Sequence, residues 1–179
     1  MEKRRQSGLT LVELMVTLAV AITLLAIGIP AFQGIEANNR AAAQANALVT
    51  ALTLARSEAV ARATPMTVCA AASATACAAD STGWVGGWLL FSDLDQDVST
   101  LAANEIVKVF DRPRGNPVIT VTPAAAFLRF NTRGEHAAGV PVAIRLEQTG
   151  TTTSQDRCIR VAASGQITTT RVEDSGTCP

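Results

Sequence analysis

Hydrophobic and polar positions divide the chain into three stretches. Residues 14–32 carry no charge at all; residues 31–62 place apolar side chains three and four apart; beyond residue 64, short apolar runs alternate with clusters of Gly, Pro, Asp, Asn and Ser. The first stretch predicts a helix that is apolar all round, and at ~1.5 Å per residue it approaches the ~30 Å hydrocarbon core of a bilayer. The second predicts an amphipathic helix whose packed face holds Ile35, Ala42, Ala45, Leu48, Leu52, Ala55 and Ala59, with Glu36, Arg40, Gln44 and Glu58 elsewhere around it. "RATP" closes it, because Pro65 disfavours a helical Thr64 and has no N–H for the helix ladder. Joined, the two make one helix over residues 9–63, on the order of 80 Å long at that rise per residue.

The third stretch predicts strands at 66–69, 84–91, 106–110, 118–122, 127–131, 140–146, 158–162 and 166–172. Turn clusters such as "DRPRGNP" and "NTRGEH" separate them, and "TGTTTSQD" reads as an exposed loop. The expected fold is α+β, shaped like a lollipop. Its stick is a long N-terminal helix spanning a membrane in its first half, and its head, residues 64–179, is an antiparallel sheet packed on the second half.

Charge sharpens the first stretch. Lys3, Arg4 and Arg5 precede it, so the positive-inside rule puts that end in the cytoplasm and everything after Phe32 outside. One carboxylate, Glu13, stands near its start. A charge in hydrocarbon is costly and by default functional, with a partner to be found. A secretory signal peptide or a plain signal anchor supplies none.

The segment "SGLTLVEL" resembles the type IV prepilin processing site, where a short basic leader ends in Gly and Glu stands fifth in the mature chain. Counted from Leu9, Glu13 is fifth. The resemblance implies a leader of residues 1–8, cleavage by a prepilin peptidase between Gly8 and Leu9, and methylation of the Leu9 amine. The apolar segment, membrane-spanning over about residues 9–32, is then retained. It further implies that Glu13 docks on the Leu9 amine of a neighbouring subunit, since a buried carboxylate is tolerable when it meets a positive group. Leu9 departs from the Phe most often found there. Pro30 falls at the twenty-second mature position, where type IV pilins carry a helix-kinking proline, with Gly28 two residues before it. Pro removes a helix hydrogen bond, so a bend or local loosening is expected there; a helix end at the membrane boundary is the competing reading.

Overall composition adds less. Fifteen basic and fifteen acidic residues among 179 cancel, so nothing pulls the chain as a whole toward nucleic acid or anionic lipid. Aromatics are few and Tyr is absent, so the core should be built mainly from Val, Ile, Leu and Ala. The four cysteines form two local groups, which in an oxidising periplasm suggests Cys69 with Cys77 and Cys158 with Cys178, one of three connectivities. Zinc is the competing reading, but CxxC pairs are missing and His136 is the only histidine.

Head motifs narrow the family. "ANALVTALTLARSEAVARATPMTVCA", "GWLLFSDLDQD", "FNTRGE" and "CIRVAASGQI" are similar to the GspH/FimT family of minor pilins and pseudopilins, nearest its FimT- and FimU-like members. The resemblance implies a bacterial inner-membrane protein, single-pass, with its N-terminus cytoplasmic and its head periplasmic, that moves into a filament. It would be a minor pilus subunit helping to start assembly in a priming or tip complex. Its implied partners are other major and minor pilins, the prepilin peptidase, and the inner-membrane assembly platform with its ATPase. A type II secretion minor pseudopilin, protein H-like, is the alternative. A DNA-uptake pilin is the second: some FimT proteins use a C-terminal Gly-Arg-x-Arg motif on phosphates. Here that stretch is Gly165, Gln166, Ile167, Thr168, without either arginine. Arg160 and Arg171, with Arg157, are what remains for DNA contact, offset by Glu173 and Asp174.

Other chemistry has little to stand on. "DLDQD" alternates Asp93, Asp95 and Asp97 as a calcium loop does, but Val98 replaces the turn glycine and Asn104 the bidentate Glu, so a solvated turn is expected. Glu135 beside His136 likewise reads as a turn, and no nucleophile has an evident base. No catalysis, metal or cofactor is expected.

Overall fold

The computed structural model describes residues 10–115, 117–147, 156–172 and 178. Helix α1 runs Leu11–Arg62 as one uninterrupted element, through Gly28 and Pro30. Thr10 starts it, its Oγ1 accepting the Glu13 N–H at 3.2 Å while its carbonyl accepts the Leu14 N–H at 3.2 Å. It ends where Ala63 turns left-handed, φ +49°, and Thr64 N–H donates back to Ala59 O at 3.3 Å. The chain divides into two units, residues 1–36 and 37–179.

Among the described residues of the first unit α1 is the only element, and its large apolar side chains, among them Leu11, Leu18, Leu24, Ile27, Phe32 and Ile35, stand exposed. Its hydroxyls turn inward on the backbone. Thr17 donates to Leu14 O at 2.9 Å, and Thr23 to Val20 O at 2.8 Å and Ala19 O at 3.0 Å, which is how a helix in hydrocarbon satisfies such groups.

Among the described residues, the second unit folds the rest of α1 with nine strands: β1 Met66–Ser73, β2 Ala76–Cys77, β3 Trp88–Ser92, β4 Ile106–Phe110, β5 Val118–Thr122, β6 Phe127–Phe130, β7 Val142–Glu147, β8 Arg157–Val161 and β9 Ile167–Arg171. They build two antiparallel sheets where one was expected. The first runs β2-β1-β3-β4 with β6 on β1, and the second β5-β7-β8-β9. Strict alternation in β5 (Ile119, Val121 inward) and β7 (Val142, Ile144, Leu146 inward) gives the second sheet one apolar face. That face shares a core with Ala45, Leu48, Leu52, Ala55 and Ala59 of α1 and with Met66, Val68, Trp88, Leu90, Leu128 and Phe130 of the first sheet. Alanines on α1 let both sheets come close.

The far face of the first sheet carries a second, smaller cluster of Cys69, Leu89 and Phe91, covered by Val98, Leu101 and Cys77. That is why β1, β3 and their neighbours read as continuous apolar runs rather than alternating ones: both faces are covered.

Three local expectations change. The stretch 84–91 is not one strand: a 3-10 helix, Gly83–Gly86, precedes β3. Gly87 separates them at φ +107°, where any Cβ would meet Phe110 O at 2.4 Å. On α1, Ile35 is exposed and Ala42 only half-buried, while Gln44, expected outside, is buried and donates to Arg114 O. The inward stripe is set at Ala37, Ala41, Ala45 and Leu48, beginning two residues beyond Ile35. Last, β1 extends to Ser73, past the end expected at Cys69, because β2 pairs with it across the Cys69–Cys77 bridge.

Candidate assembly site

The residues bearing on function fall in two places, and each is built differently. In the first unit the site is the surface of the helix itself. Leu11 is 76% exposed and Ile27 74%, and an 18-residue window here reaches a mean hydropathy of 2.4. Neither Gly28 nor Gly34 has any atom within 4 Å of where a Cβ would sit, so no packing inside the chain requires them. Glu13 lies in the first turn, exposed, where a carboxylate also complements the helix dipole. Gly8 and Leu9 lie outside the described residues.

Thr10 is a residue the sequence analysis missed. Thr10-x-x-Glu13 is the capping-box pattern, and the Glu13 N–H to Thr10 Oγ1 bond forms half of it. Glu13 therefore sits at a defined helix start, immediately before the uncharged stretch that begins at residue 14.

In the second unit three of the quoted head motifs meet at one side chain. Arg56 of "ARSEA" donates from Nε to Gly134 O at 3.0 Å, in "FNTRGE", and from Nη2 to Ser164 O at 3.4 Å, in "CIRVAASGQI". Gly165 (φ +76°) lets those two turns touch, since a Cβ there would lie 1.8 Å from Gly134 O. His136 N–H adds a bond to Ala163 O at 3.0 Å. The shared pattern thus marks the tie between α1 and both sheets, which a linear reading could quote but not connect.

Asp93 corrects another expectation. Its side chain is fully buried, not in a solvated turn: Oδ2 accepts from Thr67 Oγ1 at 2.5 Å and Arg129 Nε at 2.6 Å. It is therefore not disposed toward Asp95 and Asp97 as a calcium ligand. Asp97 caps its own loop through Ser99 and Thr100, and those hydrogen bonds, Ser99's hydroxyl first, hold its carboxyl below the ordinary value.

Glu135 and His136 also part. Glu135 accepts from Asn131 Nδ2 at 2.9 Å and Arg133 Nε at 2.9 Å, and Asn131 above all keeps its carboxyl low. His136 is buried, with Nδ1 2.7 Å from Val140 O.

Register separates the two arginines considered for DNA. Arg160 pairs with Thr168 and Arg157 with Arg171 across β8 and β9. Side chains alternate along a strand, so Arg160 and Arg171 stand on opposite faces of the sheet. On the Arg160 face, Arg145 is already held by Asp156 at 2.6 Å and Glu147 at 3.0 Å, and the Asp156 hydrogen bond raises its pKa further. Cys158 and Cys178 are bonded on this face, and Cys69 and Cys77 in the small cluster of the other sheet.

Comparison with known proteins gives a consistent picture. Residues 3–29 match the model described as prokaryotic N-terminal methylation motif, and residues 44–165 that described as type II transport protein GspH. No curated protein gives a significant match. A crystal structure of the type IV minor pilin FimU of Pseudomonas aeruginosa strain PAO1, in space group P21, superposes with a TM-score of 0.56 at 21% identity, covering 79% of this chain and 93% of that one. The same protein in space group P65 gives 0.50 at 20%, covering 71% and 91%. A long N-terminal helix followed by an antiparallel head is thus the type IV pilin fold, and the GspH match spans most of the sequence. The chain belongs to the GspH family of type IV pilin-like proteins and carries its N-terminal methylation motif.

Proposed function

We propose that this chain is a minor subunit of a type IV pilus. It is made as an inner-membrane precursor with leader 1–8 in the cytoplasm, cut by a prepilin peptidase between Gly8 and Leu9, and methylated on the Leu9 amine. Residues of about 9–32 hold it in the membrane, and the head, residues 64–179, stands in the periplasm until the assembly platform draws the subunit into a filament with other major and minor pilins. There it helps begin assembly as part of a priming or tip complex. Glu13 docks on the amine of a neighbour, and Gly28 and Pro30 form the place where the helix loosens on packing into the fibre.

One observation carries the reading: an apolar helix surface that none of the described residues covers begins within the stretch matching the methylation motif. Such a surface needs lipid first and other helices later. Open space at Gly28 supports loosening or close approach at that point. The FimU fold likeness favours a pilus.

The family's description as a type II transport protein favours a second reading, a minor pseudopilin of a type II secretion system acting in protein export. Location separates the two. Filaments sheared from the cell surface should contain the chain at a low ratio to a major pilin; finding it in the envelope alone, with surface pili intact in its absence, moves the assignment to the pseudopilus.

A further inference from the structure

Strand β6 lies against β1 along one edge and is largely open along the other. Ala70 N–H donates to Ala126 O at 2.9 Å, and Cys69 stands opposite Phe127. Antiparallel pairing alternates, so Ala126, Leu128 and Phe130 turn their backbone groups toward β1, while Phe127 and Arg129 turn theirs outward. On that outer side Arg129 O accepts the Ala137 N–H at 2.8 Å. The Phe127 N–H and C=O and the Arg129 N–H have no partner among the described residues.

Open strand edges are usually covered or guarded by a charge. The one charge on β6, Arg129, is instead spent on Asp93 at 2.6 Å. Beside this edge lies a cavity of about 650 Å³, walled by Pro123, Ala125, Phe127, Ala138 and Val142, a size within the ~300–1,000 Å³ of ligand pockets. A buried polar side chain completes the wall. His136 is 6% exposed and lines the cavity, and its Nδ1, 2.7 Å from Val140 O, carries the ring hydrogen, which leaves Nε2 as an acceptor. Among the described residues Nε2 has no donor, and it is not sealed from solvent, so the cavity is where it can meet one.

We infer that the outer edge of β6 takes an extended segment of a neighbouring filament subunit as an added strand. Main-chain pairing to Phe127 and Arg129 supplies the recognition, as in other strand additions. The segment is uncharged where it seats, because Asp93 already neutralises Arg129 and the walls are apolar, and it brings an N–H or O–H donor to His136 Nε2. The neighbouring source rests on the filament reading above; the strand chemistry does not.

The test uses the full chain in detergent micelles. His136 is the only histidine, so labelling histidine at its ring nitrogens gives a single reporter. Titration with a six-residue peptide of alternating alanine and threonine, blocked at both ends, should move the Nε2 signal saturably and slow hydrogen exchange of the Phe127 and Arg129 amides at least tenfold. The same peptide methylated at every amide nitrogen should act at least tenfold more weakly, as should the unmethylated peptide on Ala138→Trp, which fills the cavity from an exposed position. No movement, no slowing at Phe127, an equal response to the methylated peptide, or a response that survives Ala138→Trp would overturn the strand site. In cells, Ala138→Trp should enter filaments several-fold less than wild type at equal membrane level and N-terminal processing, and undiminished entry would overturn the neighbouring source. If the wild-type chain is itself missing from filaments while the peptide still binds, the filament reading fails and the strand chemistry stands.

Discussion

Leu24 and Leu52 lie on the same helix and meet opposite surroundings: the first is 67% exposed, the second fully buried. Both belong to stretches of similar helix-forming, apolar composition. In the second unit the stripe around Leu52 is covered by two sheets of the same chain, so folding alone satisfies it. In the first unit the large apolar side chains stand exposed, and among the described residues none covers them, so satisfaction has to come from outside. The difference teaches where the protein's function resides. A surface completed within the molecule supports the fold, and one left incomplete specifies lipid and then other subunits.

The largest effect to break this comparison is expected at the processing site. Gly8→Val should leave the leader attached and cut incorporation more than tenfold, read as an intact mass heavier by eight residues and loss from sheared filaments; a normally shortened chain would contradict the proposed cut.

Leu52→Ala should lower the unfolding free energy of the full chain in micelles by about 2–5 kcal/mol through a cavity, whereas Leu24→Ala should leave it unchanged. Denaturant titration of both variants decides the matter, and similar losses would mean that the first half of α1 also packs within the chain. Asp93→Asn should cost about 3 kcal/mol on the same assay, because the substitution leaves Arg129 without its buried counter-charge. A neutral result would return Asp93 to the solvated turn expected from sequence.

Removing Cys158–Cys178, which closes a span of 20 residues, should destabilise by about 3 kcal/mol on loop-entropy grounds, somewhat more than removing Cys69–Cys77 across 8. The smallest effect is electrostatic. Glu135 has its carboxyl held low in the folded state, so its contribution is present above the ordinary carboxylate range and is lost as pH falls through the lowered value. Glu135→Gln should flatten that acid limb of the stability profile, visible as a smaller drop in melting temperature on acidification.

Much of this was legible in the sequence because local signals agreed with the fold. The strands at 106–110 and 118–122 fall where alternation and turn residues put them. The end of α1 follows from Pro65, and the disulfide pairing from the local grouping of cysteines. What was not legible depends on contacts between distant segments. Asp93 looks like its neighbours Asp95 and Asp97, and only the placement of Thr67 and Arg129 buries it. The Arg56 tie needs two turns from remote parts of the chain. Gln44 is polar by type but inward by its bond to Arg114. The split into two sheets is likewise a matter of which strand finds β1, and β6 does so across some sixty residues of sequence. Thr10 was different: its capping-box spacing was present in the sequence and was overshadowed by the processing motif it lies within.

The central claim is that the uncovered half of α1 is retained and used. The most direct measurement is mass spectrometry of the N-terminal peptide of the chain extracted from membranes. The account predicts a mature chain that begins at N-methylated Leu9 and keeps Glu13 and the apolar stretch to Phe32. A chain that begins beyond residue 32, as after removal of a signal peptide, would contradict it.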